Sequence, residues 1–293
     1  MRLNVESPAP ADIWLKLENL QPVGSFKLRG AGNAMRLAGL DALERGVWTA
    51  SAGNMGRAVA WYARQLGVPC TVVVPADAPA AKVEAIVRLG ARIVPLPFAR
   101  YQEIQRERDY PGAEGLLIHP FADQAVMAGN GTIGLEILED APDVAAVLVP
   151  YGGGGLSCGI ASALRASGSN ARVFGCEVAS GAPLAASLAA ARPVETDYVP
   201  SFVTGIGAPF VFPEMWPLAS ELLAGALVVS LSDVAAAIRL LALGNHVVAE
   251  GAAAVPVAAA LGGGAGGGKV VCVVSGGNIG SADLVAILQG GIP

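Results

Sequence analysis

Val-Ala-Ala-Val-Leu-Val-Pro-Tyr-Gly-Gly-Gly-Gly-Leu, residues 144–156, is the stretch of the chain that says most about its fold. The apolar, β-branched run from Val144 to Val149 predicts a buried strand. Four glycines follow, and we expect a helix after them. Glycines let backbone N–H groups approach an anion, and a helix N-terminus adds positive potential. The stretch therefore predicts either a cradle for a phosphate or a plain tight turn.

Several known alternatives for this glycine run are excluded by its neighbours. No Gly-Lys-Ser/Thr follows, so it is not a triphosphate-binding P-loop, and Ser157 and Cys158 stand where a dinucleotide fingerprint needs its third glycine. With no Lys or Arg in the loop, a single phosphate monoester fits better. The uncharged stretch 144–164 is long enough to span a membrane, but Pro150 and the glycines would break such a helix. We expect no membrane segment.

The composition is that of a globular α/β protein with many glycines. The chain has 293 residues, of which 38 are Gly, and 53% are hydrophobic against 15% charged. Ordinary domains carry about 25% charged residues. A net charge of −5 gives no electrostatic surface for nucleic acid. The length fits two domains or one large α/β unit.

The cysteines and histidines argue against a metal or disulfide framework. The four cysteines are scattered in apolar stretches without a Cys-x-x-Cys pair, and the chain has two histidines. A zinc cluster is therefore not expected, and the cysteines are interpreted as buried small hydrophobes in a reducing compartment.

Predicted strands alternate with predicted helices along the chain. Strands are expected at 70–74, 92–96, 144–149, 173–177 and 269–274, and helices at 55–66, 80–89 and 232–243, the last capped by Ser232. Strands separated by helices imply βαβ units and parallel sheets. In such sheets ligands bind at the carboxyl ends of strands, where the glycine loops fall.

Two further motifs carry candidate chemistry. Lys27, in Gly-Ser-Phe-Lys-Leu-Arg-Gly (24–30), is either a solvated surface group or a lysine whose apolar surroundings allow a Schiff base. The loop Ser51-Ala52-Gly53-Asn54 lies at a predicted strand-to-helix turn, where its N–H groups could hold a carboxylate.

Taken together, the ordered motifs resemble the fold-type II pyridoxal-phosphate enzymes, and within them the serine/threonine dehydratase group. The similarity covers nearly the whole chain. It rests on 25–31, Ser-Phe-Lys-Leu-Arg-Gly-Ala; on 51–54; on the tetraglycine; and on 275–278, Ser-Gly-Gly-Asn. His-Pro-Phe (119–121) and Gly-Asn-Gly-Thr (129–132) are also similar to the group's linking segment.

The resemblance implies a fold and a role for each matching residue. The fold would be α/β with twisted, parallel-rich sheets flanked by helices, as in the tryptophan synthase β chain. Residues 1–45 and 119–293 would form the large cofactor-binding domain, and 46–118 a small mobile domain for the substrate carboxylate. Lys27 would bind the cofactor and act as the base, and Ser275 would face the pyridine nitrogen. The other implied cofactor contacts are Phe26, Asn54, Gly152, Gly153, Gly154, Gly155, Leu156, Gly205 and Glu250. The implied substrate contacts are Ser51, Ala52, Gly53, Asn54 and Met55.

Three departures from the group's pattern refine this expectation. Racemases of the group have Ser where this chain has Ala52, so loss of that acid/base group disfavours racemisation. Many members have His where this chain has Met55, which either favours a less polar or bulkier β-substituent or packs in the core. Metal-binding members of the group use a Glu and an Asp further along the chain. Glu177 matches the Glu, but Pro183 stands where the Asp is expected. We therefore expect no metal. Glu250 matches a family glutamate near the ring, or else is a buried carboxylate at a helix start.

The expected activity is dehydration and deamination of a β-hydroxy amino acid, such as L-threonine or L-serine, to a 2-oxo acid and ammonia. A hydroxyl at Ser275 would make the cofactor a milder electron sink than a carboxylate would, which favours β-elimination. The alternatives are a β-replacement synthase, an amino-acid racemase, a dehydratase for phenylserine or hydroxyaspartate, and a non-catalytic binder.

The remaining expectations concern partners and the ends of the chain. We expect a cytoplasmic homodimer that binds a small amino acid and neither nucleic acid nor membrane. Family members usually carry a Thr-Pro-Leu motif that is absent here, so we expect a native start upstream of Met1. We expect no C-terminal amino-acid-sensing domain.

Overall fold

The computed structural model describes residues 1–5 and 11–293. They form two compact units: Met1–Phe26 with Asn130–Pro293, and Lys27–Gly129. The small domain predicted from the sequence, residues 46–118, lies within the second unit.

Nine strands are found among the described residues. They are β1 (Asp12–Leu17), β2 (Val47–Ala50), β3 (Cys70–Pro75), β4 (Arg92–Leu96), β5 (Leu116–Leu117), β6 (Val144–Pro150), β7 (Arg172–Val178), β8 (Gly225–Val229) and β9 (Lys269–Val274).

Eleven α-helices are found in the same residues, with 3-10 turns at Glu18–Leu20 and Asp41–Leu43 and a π-helical segment at Leu240–Gly244. They are α1 (Lys27–Ala38), α2 (Asn54–Leu66), α3 (Ala80–Val87), α4 (Phe98–Glu107), α5 (Gln124–Asp140), α6 (Gly155–Ala166), α7 (Pro183–Ala190), α8 (Trp216–Leu222), α9 (Leu231–Arg239), α10 (Gly251–Leu261) and α11 (Ser281–Leu288).

Each unit is built on one parallel sheet. The first unit has strand order β1-β9-β6-β7-β8, and the second has β4-β3-β2-β5. Every strand pairing in both sheets is parallel. Central strands of parallel sheets are buried on both faces, which explains their continuous apolar sequences. The predicted α/β class with parallel sheets flanked by helices is confirmed.

The central pair of the first sheet sets the position of the functional loops. β6 pairs directly with β9, with Leu148 opposite Cys272. Because parallel neighbours end at the same edge of a sheet, the segments that follow β6 and β9 lie side by side. These segments are the tetraglycine loop and the run that starts at Ser275.

The helix expected at 232–243 differs from the prediction. Ser230, not Ser232, caps the helix: its hydroxyl accepts from the Asp233 N–H, and the Asp233 carboxylate accepts from the Ser230 N–H. The α-helix ends at Arg239 and continues as the π-helical segment. The Ser230–Asp233 pair is a capping box, whereas Ser232 lies within the first turn.

The structure bears on the expectations for the cysteines and for membrane spans. Cys70, Cys158, Cys176 and Cys272 are buried free thiols, and burial raises the pKa of Cys70 and of Cys158 to about 12. Such thiols carry little nucleophilic thiolate. Among residues 1–5 and 11–293, the helices are too short or too polar to cross a bilayer.

Candidate active site

The tetraglycine loop connects the end of β6 to the start of α6. Gly154 is the N-cap of α6, with φ +84°, a conformation that favours glycine. Because Gly154 has no side chain, it cannot accept hydrogen bonds from the N–H groups in the first turn of α6. A twelve-residue helix adds its positive N-terminal potential at this point. The loop therefore has the form of an anion site.

Gly205 closes one side of this loop. A Cβ added at Gly152 would lie 3.0 Å from the Gly205 carbonyl oxygen and 3.3 Å from the Ile206 Cα. Both neighbours are backbone atoms, so a larger residue at 152 would push the two segments apart. Gly205 has φ +95°, and a Cβ there would lie 3.9 Å from the Ala252 side chain. The fold thus brings two predicted cofactor-binding segments together, although 53 positions separate them in the sequence.

Ser275 follows β9 and is 2% exposed. Its carbonyl accepts from the Phe26 N–H at 2.9 Å, and Ser25 forms an antiparallel bridge with Gly276. The Glu250 N–H donates to the Gly276 carbonyl at 3.0 Å. Glu250 is the N-cap of α10 and is itself buried. Backbone hydrogen bonds therefore hold Phe26 to Ser275 and Glu250 to the next residue, Gly276.

Lys27 is the first residue of α1 and lies in the second unit. Its Nζ donates a hydrogen bond of 2.5 Å to the Pro120 carbonyl. The chain reaches this carbonyl through His119, whose Nδ1 accepts from the Ala122 N–H at 3.0 Å. The His119-Pro120-Phe121 segment thus positions the lysine amine, a function that the sequence did not predict for it.

The loop at 51–54 leads from β2 into α2. The Ser51 hydroxyl accepts from the Gly53 N–H at 3.2 Å, and α2 begins at Asn54, with Gly53 as its N-cap. The loop therefore leads into a helix N-terminus, a position that favours binding of a carboxylate. Met55 is 1% exposed, which fits its interpretation as a core residue, and its contact with substrate stays a prediction.

Gly56 is a residue of this unit whose role the sequence motifs did not indicate. A Cβ added to Gly56 would lie 2.2 Å from the Ser51 carbonyl oxygen. A glycine within a helix is unfavourable and often marks close packing, and that signal was present in the sequence. Gly56 lets the loop fold back against α2.

The Glu177 carboxylate accepts two backbone hydrogen bonds at the start of a helix in the first unit. Its two carboxylate oxygens accept from the N–H groups of Leu184 and Ala185, at 2.8 and 2.9 Å, in the first turn of α7. Pro183 is the first residue of that helix. Burial raises the pKa of Glu177 to about 7, and the two hydrogen bonds partly oppose the rise. The described part of the chain has no group of three His, Cys, Asp or Glu residues that could hold a metal.

Comparison with known proteins identifies the family. The model of the family described as "Pyridoxal-phosphate dependent enzyme" matches residues 2–276. The chain belongs to the pyridoxal-phosphate dependent enzyme family. The resemblance drawn from the sequence motifs is thereby confirmed.

Ammonia-lyases and a racemase are among the proteins to which this chain is similar. An L-threonine ammonia-lyase of Geobacter sulfurreducens is 40% identical over 96% of this chain and 70% of its own length. A structure of the processed threonine deaminase isoform 2 of Solanum lycopersicum is 30% identical, with a TM-score of 0.85 over 97% of this chain and 88% of that one. The structure of a pyridoxal 5'-phosphate-dependent aspartate racemase is 32% identical, with a TM-score of 0.82 over 94% of this chain and 86% of that one.

The residues of the first unit fit the cofactor. The glycine cradle leaves no room for side chains where Gly152 approaches Gly205, and it ends at a helix N-terminus suited to one phosphate. The buried hydroxyl residue Ser275 lies at the same sheet edge, as a partner for a ring nitrogen would.

Proposed function

We propose that this enzyme eliminates water from L-threonine or L-serine and releases ammonia and a 2-oxo acid. The observation that carries the proposal is Ser275: a residue with a hydroxyl, not a carboxylate, follows the strand beside the glycine cradle. Bound pyridoxal phosphate withdraws electrons from the substrate Cα, which acidifies its hydrogen and lets a β-substituent leave. A hydroxyl neighbour keeps that withdrawal moderate and favours elimination.

Lys27 is the proposed base. Its amine would hold the cofactor and, once the substrate amino group has taken its place, accept the proton from the substrate Cα. A general base must reach the proton it removes and be neutral when it does so. The hydrogen bond from Nζ to the Pro120 carbonyl supports this role, because an uncharged acceptor orients the amine without stabilising its positive charge as a carboxylate would.

The start of α2 is the proposed carboxylate site. N–H groups from the loop at 51–54 would bind both substrate oxygens, aided by the dipole of a thirteen-residue helix. The Ser51 hydroxyl already shapes this loop through its bond to Gly53. Held in this way, the substrate is oriented for reaction at Cα.

Ala52 distinguishes the lyase from the racemase that is also among the similar structures. Racemisation requires a proton donor on the face opposite the lysine, and a methyl side chain cannot donate one. A β-replacement synthase is less well supported, since the chain lacks the Thr-Ser-Gly-Asn-Thr type of loop. Phenylserine and hydroxyaspartate remain alternative substrates, which Met55 would help to select.

An amino-acid panel tests the proposal. Purified enzyme with pyridoxal phosphate is given L-threonine, L-serine, phenylserine and hydroxyaspartate, and ammonia, 2-oxo acid and the D-amino acids are measured. We expect equal amounts of ammonia and 2-oxobutanoate from threonine. Accumulation of D-amino acid without ammonia would contradict the proposal, and the Lys27→Ala variant serves as the control.

We further propose that the enzyme is a cytoplasmic homodimer. Leu37 and Leu40, at the end of α1 and just after it, are 68% and 66% exposed, which supports a covered surface there. Four unpaired cysteines support a reducing compartment. Light scattering of the purified enzyme should give twice the mass of the 29.5 kDa chain.

A further inference from the structure

Asn130 is a buried polar residue to which no role has yet been given. It lies in α5 and is 1% exposed. Its Nδ2 donates to the Gly155 carbonyl at 3.2 Å. Since a carbonyl only accepts hydrogen bonds, the amide nitrogen must be the atom that faces it. The bond ends on the first residue of α6, directly after the Gly154 N-cap.

The backbones of α5 and α6 hold this contact in a fixed register. A Cβ added at Gly131 would lie 2.8 Å from the Gly159 carbonyl oxygen, and one at Gly134 would lie 3.1 Å from that of Ile160. The two helices therefore pack with glycines at their contact. Asn130 sits at the end of this contact nearest the tetraglycine loop.

The Oδ1 atom of Asn130 is buried without a hydrogen-bond partner among the described residues. Leaving a buried acceptor unsatisfied is costly, and an apolar side chain of the same shape would avoid that cost. A polar residue kept at this position therefore indicates a use for its amide donor.

Peptide geometry shows what the amide donor does. A trans peptide is planar, so fixing the Gly155 carbonyl also fixes the opposite-pointing N–H of Leu156. That N–H belongs to the first turn of α6, whose N–H groups are free to bind an anion. A hydrogen bond to the carbonyl also polarises the peptide and strengthens its N–H as a donor.

We propose that Asn130 is a positioning residue for the cofactor phosphate, which it serves by orienting the Gly155–Leu156 peptide. The proposal rests on the assignment of the tetraglycine loop as the phosphate site. Ser157 assists from within the loop, because its hydroxyl donates to the Gly154 carbonyl at 3.1 Å. Asn130 lies on a different helix, α5, so it can be substituted without a change in the sequence of the loop itself.

The test compares pyridoxal 5'-phosphate with pyridoxal, which lacks the phosphate. The dissociation constants of both are measured on full-length protein freed of cofactor, for the wild type and for Asn130→Leu and Asn130→Asp. We expect both variants to bind pyridoxal as the wild type does and to bind pyridoxal phosphate about three- to tenfold more weakly. Asp has the size of Asn but, when ionised, cannot donate to Gly155 and adds a charge that repels the phosphate. Asn130→Leu is therefore the variant that removes the bond without a new charge.

Asn245→Leu is the matched control. Asn245 is also buried and also donates from its side chain to a carbonyl, that of Leu240, far from the loop in sequence. Its removal should leave the ratio of the two dissociation constants unchanged. An unchanged ratio in both Asn130 variants would overturn the proposal. A wild-type protein that binds both compounds equally would instead show that the tetraglycine loop does not bind the phosphate, and the proposal would fall with that assignment.

Discussion

Substitution of Glu177 by Gln should remove a pH dependence from the stability of the protein. Glu177 is 1% exposed, and burial raises its pKa from 4.5 to about 7. The folded state then binds this proton more tightly than the unfolded state, so wild-type stability is greater at low pH and falls as the pH rises to 7. For these two pKa values, the free energy of unfolding loses about 2 kcal/mol between pH 5.5 and pH 8.

The assay is equilibrium unfolding in urea at several pH values, with wild type and Glu177→Gln in parallel. Gln cannot titrate, so the difference in unfolding free energy between the two proteins should shift by about 2 kcal/mol across this range. A constant offset is also expected, because Gln offers one acceptor oxygen to the two N–H groups at the start of α7. Asp143→Asn, at an exposed ion pair with Lys269, is the control. A difference that stays constant with pH would show that Glu177 does not bind its proton more tightly in the folded state.

Three further substitutions test the two loops. Gly154→Ala places a side chain at φ +84° and should cost about 1 kcal/mol in unfolding free energy, together with weaker binding of pyridoxal phosphate in a fluorescence titration. Gly56→Ala puts a Cβ within 2.2 Å of the Ser51 carbonyl oxygen, which should displace the loop and raise the KM for threonine about tenfold or more. A circular dichroism spectrum checks that the variant is folded. An unchanged KM would contradict the assigned carboxylate site. Ala52→Ser restores a hydroxyl and should produce D-serine from L-serine, detected by chiral chromatography.

The sequence predicted the fold best where apolar runs have sharp ends. The strands at 92–96 and 269–274 have the predicted bounds, since charged residues begin each run. Short or mixed strands such as β5, of two residues, carry too little pattern to be recognised. The predicted helix cap, Ser232, was wrong: Ser230 stands three residues before Asp233, which is the spacing of a capping box.

The motifs predicted the residues that carry the chemistry of the site, but they did not predict the contacts that position those residues. Lys27, Ser275 and the glycine loop stand out because their residue types are unusual in their positions. The approach of Gly152 to Gly205 and the bond from Asn130 to Gly155 join residues far apart in the chain. Such contacts are set by strand order and helix register, which local sequence does not specify.

The position at which the cofactor is attached can be measured directly. The enzyme, loaded with pyridoxal phosphate, is reduced with borohydride, digested and analysed by mass spectrometry. If Lys27 holds the cofactor, we expect one phosphopyridoxyl group, on Lys27, and loss of both this label and ammonia release in Lys27→Ala. A label on Lys16, Lys82 or Lys269, or a Lys27→Ala variant that still releases ammonia at the wild-type rate, would show that Lys27 is not the cofactor lysine.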